Sequence, residues 1–490
     1  MTTIIPDPVV AVRTIPKQAD VVVVGGGIVG ASTALFLAER GVSVALCEKG
    51  LIGAEQSGRN WGWVRQMGRD PAEVPLAVES LALWRGLNER AGAETGFRQT
   101  GITYLCETER ESAAYEEWLQ HARAHDVDSQ LLSRAALSEL LPGIAGRFVS
   151  GLHTATDGRA EPTKAVAAIA NAAIRAGAHV VDNCAVRGIE RSAGRVSGIV
   201  TEHGPIKCGS VVLAGGAWSR LFAGNAGVDF PQLKILGSVA RIGQVDGVPE
   251  MPVGGSNFAF RRRLDGSYTV AERNANVAPI VPDSFRLFTD FVPSLAKQWH
   301  ELKLRIGGRF IEEWRTPRRW EFDEISPFER VRVLDPAPVE RFNRAGLKNL
   351  IKAFPAFKDA KILQHWAGLI DVTPDAVPVI GPVGSIPGFF LASGFSGHGF
   401  GIGPGAGQLM ADLVMGTPSR VDPTPFCLGR FTRSRREAAS AAQPSMGHDV
   451  VGPALGPVQS RADGGAESFR HLVTKPAFAT TSAIQQGVAG

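Results

Sequence analysis

Several groups of residues in this chain have types and spacing that could do chemistry. Gly25-Gly26-Gly27-Ile28-Val29-Gly30 gives the pattern G-x-G-x-x-G, directly after the run Val21-Val22-Val23-Val24. Glycines so spaced permit a tight turn, backbone contact with a pyrophosphate and close helix–strand packing, with a helix N-terminus facing the negative charge. Glu48 closes the next apolar run, Val42 to Cys47, where a carboxylate can accept ribose hydroxyls. These residues fit any adenosine dinucleotide, so FAD and NAD both remain open at this point. A glycine turn with a purely structural role is the alternative.

The segment from Gly53 to Asp70 carries two indoles, Trp61 and Trp63, and three guanidinium groups, Arg59, Arg65 and Arg69. Arg65 could bind a carboxylate bidentately, because its guanidinium is planar and permanently charged; an Arg tied into the protein or bound to a cofactor reads the same way. Trp61 and Trp63 could wall a site with apolar surface or simply pack. Phe260-Arg261-Arg262-Arg263 precedes an Asp265-Gly266 turn, and strand alternation puts Arg261 and Arg263 on one face. A solvated basic edge is the plainer reading of that run. Tyr268 leaves the turn on a strand expected to face the site, where its hydroxyl could hydrogen-bond a substrate. His365 and His398 fit packing or supporting roles better than acid–base work.

The elements that must position these residues follow from periodicity. Val21–Val24 and Ser210–Ala214 read as parallel strands buried on both faces. Helices are expected over residues 31–40, 71–88, 110–125, 161–176 and 403–414, strands over 42–47, 101–106 and 178–181, and a hairpin over 186–199 turning at Gly194. Buried strands alternating with helices make an α/β fold. Two further Gly-rich runs, Ala214-Gly215-Gly216-Ala217-Trp218-Ser219 and Gly394-Phe395-Ser396-Gly397-His398-Gly399-Phe400-Gly401, let the chain pass close to a bound cofactor.

Composition narrows the function classes. With 490 residues the chain is long enough for two cores, and 52 Lys and Arg against 48 Asp and Glu leave a net charge of only +4, no footprint for nucleic acid. The five cysteines form no C-x-x-C pair, which argues against a zinc site or a redox dithiol and sets a metal aside. The start has no basic region followed by an apolar run, so a cytoplasmic protein without a transmembrane segment is expected. Beyond Arg433 the composition turns to Ala, Ser, Gly, Pro and Gln, and a disordered tail is expected over 433–490.

Taken in order, residues 21–48, 214–219, 366–381 and 394–401 resemble the D-amino-acid oxidase-like flavoproteins, which include glycine, sarcosine and other amino-acid and amine oxidoreductases. The resemblance spans roughly residues 18 to 430, and the loop around Asn60-Trp61-Gly62-Trp63-Val64-Arg65 is also similar to that of some bacterial L-amino-acid oxidases. It implies a Rossmann-type FAD-binding domain with a second α+β substrate domain on a mostly antiparallel sheet. The first would take residues 18–85, 150–222 and 345–430, the second 86–149 and 223–344. It implies FAD contacts from Gly25, Gly27, Ile28, Val29, Gly30, Glu48, Lys49, Ser57, Asn60, Val186, Gly215, Trp218, Gly397, His398, Gly399, Phe400 and Gly401. Arg65 and Gln66 would face the reacting substrate, and Trp61, Arg261, Arg263, Tyr268 and Trp366 would surround it.

The departures are informative. Where the family reads Trp-x-Gly-Leu-Arg-Pro-x-Thr-Pro-Asp, this chain has Ile370 in place of the Arg that often holds a substrate carboxylate. Where sarcosine-oxidase-like members carry a Lys after Gly-His-Gly-Phe, it has Gly401. No Cys lies near Gly368, so FAD is expected to be held noncovalently. The reaction implied is oxidation of the C–N bond of an amino acid or amine by hydride transfer to flavin, with oxygen, a quinone or another carrier as acceptor, in a monomer or homodimer. The rival readings are a sarcosine-, opine- or polyamine-type secondary-amine enzyme, a flavin-dependent 2-hydroxy-acid dehydrogenase, a disulfide reductase, and a nucleotide-binding regulator without turnover.

Overall fold

The computed structural model describes residues 4–298 and 302–431. The tail expected over 433–490 lies outside the described residues. A six-stranded sheet runs in the order Val379–Pro382, Phe389–Ser393, Ser210–Leu213, Val21–Val24, Val44–Cys47 and His179–Val181, parallel except at the Val379–Pro382 edge. Its alternating side chains enter two cores. Val21, Val23, Val44 and Leu46 meet helices Ile28–Ala38, Pro162–Arg175 and Gly399–Met415, while Val22, Val24, Ala45 and Cys47 meet a three-stranded antiparallel layer formed by Val186–Ser192, Arg195–Thr201 and Gly204–Lys207. Both faces are covered, which is why Val21–Val24 carries no polar residue.

A second sheet of ten strands is mostly antiparallel, with Leu233–Ile242 paired along Ile362–Val372 near its middle. Two segments expected in the nucleotide domain belong to this sheet instead. Ser150–Thr154 pairs with Ile102–Cys106 and Ser129–Ser133, and Ile362–Val372 pairs with Leu233–Ile242. Ile362–Val372 pairs with a strand more than a hundred residues earlier, which a boundary drawn along the chain could not find.

Helix Ile28–Ala38 is buried along its whole length. A Cβ on Gly407 would sit 2.4 Å from Ser32 Cβ and 2.7 Å from Thr33 N, and one on Gly403 would sit 2.8 Å from Ile28 Cγ2. The glycines therefore set the approach of the two helices. The second helix starts at Gly399, earlier than expected, and carries Pro404 in its interior. Ser80 repairs the disturbed ladder: its Oγ donates to Gly401 O at 2.8 Å and accepts from Gly405 N at 3.1 Å, while Trp84 Nε1 also donates to Gly401 O at 2.9 Å. The helix expected over 71–88 is likewise two pieces, Val74–Arg85 and Leu87–Ala91, meeting at Gly86.

Gly407→Val would force backbone apart where side chains cannot give way. It should destabilise the protein by about 1–3 kcal/mol or more, read as a lower urea midpoint with and without added FAD, and an unchanged midpoint would contradict this packing.

Candidate active site

A cavity opens at the carboxyl ends of Val21–Val24, Val44–Cys47 and Ser210–Leu213, the usual ligand position in an open α/β sheet. Gly25, Gly27, Ile28, Val29, Glu48 and Lys49 line it, as do Ser57, Asn60, Val186, Gly215 and Trp218. The first turn is shaped by contact: a Cβ on Gly25 would meet Ala214 O at 2.5 Å. Glu48 is held by two backbone donors, Gly26 N at 2.7 Å and Gly50 N at 2.8 Å, while burial pushes its carboxyl above the usual carboxylate range. Ile28 N donates to Ser57 Oγ at 3.0 Å, so Ser57 fastens the second loop to the helix N-terminus.

Gly27 caps that helix without a side-chain hydrogen bond, and the buried Oε1 of Gln56, also on the cavity wall, has no hydrogen-bond partner. A helix N-terminus at the cavity where a pyrophosphate would sit, a carboxylate for ribose and an amide oxygen without a hydrogen-bond partner fit FAD. Lys49 lines the cavity, but its ammonium is engaged by Glu55 at 2.5 Å and by the carbonyls of Val331 and Arg332, and it lies 4.7 Å from the Trp218 ring centre.

Leu369, Ile370 and Asp371 contribute from the second sheet, and Gly397, Gly399 and Phe400 from the start of the long helix. Asp371 organises that junction by accepting from Gly394 N at 2.6 Å, Gln232 Nε2 at 3.2 Å and Ser393 Oγ at 3.2 Å. Three residues expected at the cofactor lie off the cavity wall. Gly30 packs against Gly25 O, which a Cβ would approach to 2.0 Å. Gly401 lies under the strand Trp63–Val64, where a Cβ would be 3.2 Å from Trp63 O, leaving little room for a side chain. The His398 ring turns away to Glu73, with Nδ1 2.8 Å from Oε2.

Trp61, Trp63, Tyr104 and Trp366 share one core cluster. Trp61 and Trp63 meet edge to face at 5.6 Å, Trp63 and Tyr104 are 5.6 Å apart, and Trp366 Nε1 donates to Arg59 O at 2.8 Å. Arg65 lies over the Tyr104 ring at 5.6 Å, and Arg273, which sequence reasoning missed, lies over the same ring at 4.2 Å. The expectation for Arg261 and Arg263 is met in direction only. Both face the same way, but Arg261 is buried in an ion pair with Glu161 at 2.7 Å and donates to Trp61 O at 2.6 Å, while Arg263 stands 3.9 Å from Glu161. Arg261 therefore braces the Trp61 backbone.

Tyr268 is a correction. Arg261 pairs with Thr269 and Arg262 with Tyr268, so Tyr268 points to the opposite face of the sheet. There it packs on Phe260 and Phe357, and its hydroxyl donates to Val245 O at 3.4 Å.

Beneath Arg65 lies a buried charged cluster that includes Arg69, Glu73, Asp157 and His398. Burial lowers the Arg69 guanidinium to about 9, with Arg65 adding to it, and lowers the His398 imidazole to about 4 against the pull of Glu73. No spacing rule marks this cluster: His398 and Glu73 are 325 residues apart, and Asp157 is 91 from Gln66.

Glu48→Gln keeps one acceptor and loses the charge, and should weaken FAD binding by about tenfold, read by released flavin fluorescence on dilution. His398 supplies a pH test. Its folded value of about 4 lies below 6.5, so the unfolded chain binds the extra proton; its contribution is complete above about 6.5 and is lost as pH falls toward 4. Across that window the wild type should lose up to about 1.4 kcal/mol per pH unit more than His398→Asn, measured by urea unfolding at pH 5 and 7.

The family profile described as FAD dependent oxidoreductase, DAO, matches residues 20–413. The L-amino acid deaminase from Proteus myxofaciens, solved in complex with anthranilate, superposes with a TM-score of 0.83 at 34% identity, over 87% of this chain and 98% of that one. The mitochondrial sarcosine dehydrogenase of Mus musculus is 28% identical over 86% of this chain but only 42% of its own length, so this chain spans less than half of that relative. The glycine oxidase of Pseudomonas putida is 27% identical over 83% of this chain and 97% of its own. With its glycine turn, Glu48 and the run at 397–400 around one cavity, the chain belongs to the FAD-dependent oxidoreductase family and uses FAD.

Proposed function

We propose that this protein oxidises the C–N bond of an amino acid, giving an imino acid that water hydrolyses to a 2-oxo acid and ammonia. The observation that carries the reading is the pair of guanidinium groups, Arg65 and Arg273, over one Tyr104 ring and beside the Trp61–Trp63 wall. Bound FAD supplies the hydride acceptor. Arg65 offers a permanent charge for the substrate carboxylate, and Gln66 adds a neutral amide next to it. The indoles exclude water from the reacting carbon. Hydride removal needs a neutral amine and orientation more than a strong protein base.

The names of the relatives support the substrate class: an L-amino acid deaminase, a glycine oxidase and a sarcosine dehydrogenase. The reading takes a cytoplasmic enzyme with a small-molecule amino acid or amine as substrate and oxygen, a quinone or another electron carrier as acceptor. A secondary-amine substrate is the second reading, favoured by apolar Ile370 on the cavity wall, at the position where the family pattern it resembles often has Arg. No helix among the described residues is long and apolar enough to cross a membrane.

Anaerobic titration of the FAD-loaded protein with L-amino acids, D-amino acids, N-methylated amino acids and polyamines should bleach the flavin spectrum with one pool. N-methylated substrates alone would select the second reading, and no response from any pool would overturn both. Arg65→Lys keeps charge but loses the fork, and should raise KM about tenfold or more with unchanged flavin content.

A further inference from the structure

We propose that Asp157 is the positioning residue of the substrate end of this site: its buried carboxylate fixes the Arg65-Gln66-Met67 turn and so sets affinity for the substrate carboxylate. The inference rests on the reading that Arg65 and Gln66 face the substrate.

Asp157 is fully buried on the loop between Ser150–Thr154 and Gly158–Arg159. Its Oδ1 accepts from Gln66 N at 2.7 Å, and its Oδ2 accepts from Met67 N at 3.3 Å. Gln66 Nε2 reaches the same Oδ1 at 3.4 Å and Thr156 Oγ1 at 3.1 Å. Both carboxylate oxygens therefore take backbone donors of consecutive residues, and a neighbour of the same loop steers the Gln66 amide. Arg65 Nη1 also donates to Met67 O at 2.5 Å. The backbone that carries Arg65 and Gln66 is thus held at Met67 O by its own guanidinium and at Gln66 N and Met67 N by Asp157. Removing the Asp157 carboxylate frees a turn whose side chains must hold within a fraction of an ångström to grip a carboxylate.

The ionised form suits this geometry, since a proton on either oxygen would face an N–H already pointing at it. Burial opposes ionisation and raises the group to about 7, with the two backbone donors and Arg65 pulling it down. The other charges around it are Arg65 and Arg69 on the clamped segment, Glu73 and His398 behind them, and Asp128, which Thr156 Oγ1 contacts. Arg69 at about 9 and His398 at about 4 stay out of the window around neutrality. As pH falls through about 7, Asp157 takes up a proton, the turn loses an acceptor, and affinity for a carboxylate should fall.

The test uses the FAD-loaded full chain and benzoate, a carboxylate with no group titrating between pH 6 and 9, followed by the flavin spectrum. The dissociation constant should rise about tenfold from pH 8.5 to pH 6 in the wild type, while Asp157→Asn should start about tenfold weaker and stay flat across that range. Thr156→Val, which leaves the carboxylate in place, should weaken binding about threefold and keep the pH dependence. It also keeps the question answerable if Asp157→Asn does not fold. A pH-independent wild type, or an Asp157→Asn protein that binds as the wild type does, would overturn the proposal. Gln66→Ala and Arg65→Lys read the underlying assignment separately: if neither changes benzoate binding, or the wild type does not bind it, the substrate site lies elsewhere and the inference falls with it.

Discussion

The close approach of the chain at Gly25 is the constraint on which the rest depends. The first parallel strand must end, turn over Ala214 O and enter helix Ile28–Ala38 within four residues. No side chain fits in that space, and Gly30 must lie against Gly25 O for the helix to start there. This places the helix N-terminus at the cavity, and Ser57 then fastens the loop of residues 53–70 to it through Ile28 N. Helix Gly399–Met415 is drawn in by the same demand, because Gly403 and Gly407 allow it to pack on the first helix at backbone distance. The run at 397–400 reaches the cavity as a consequence of that packing.

The second sheet meets this frame through buried arginines. Arg59 holds Ala54 O, Ala367 O and Asp335, and Arg261 holds Trp61 O and Glu161. A guanidinium taken out of water is costly unless its donors are met, so these contacts define where the loop of residues 53–70 can lie between the two sheets. They do not strengthen the fold so much as make one arrangement of that loop far better than its neighbours. Arg65 and Arg69 are buried as well, and their charges are opposed by Glu73 and Asp157. The site is therefore a place where opposite charge at close range holds like charges together against the cost of burial.

Most of the frame could be read along the chain. The all-valine strand, the glycine turn, Glu48 and the later Gly-rich runs signal their positions through local rules, and all but Gly30, His398 and Gly401 of the residues expected at FAD line the cavity. The substrate side was less legible. Strand alternation gives Arg261 and Arg263 a common face but not which face meets the site, and Tyr268, expected on a strand facing the site, lies on the far side. Asp157, Glu73 and Arg273 carried no pattern, because their partners are distant in sequence.

What the sequence determined by itself is what depends on short spacing: the dinucleotide turn and the buried parallel strands. A backbone turn and a strand period repeat over a few residues, so their physical causes are local. Only the tertiary structure decided that Ser150–Thr154 and Ile362–Val372 join the second sheet, that Arg261 is a brace, and that Asp157 lies under Gln66. These depend on which distant strands pair and on how buried charges find partners, and those are properties of the folded chain as a whole.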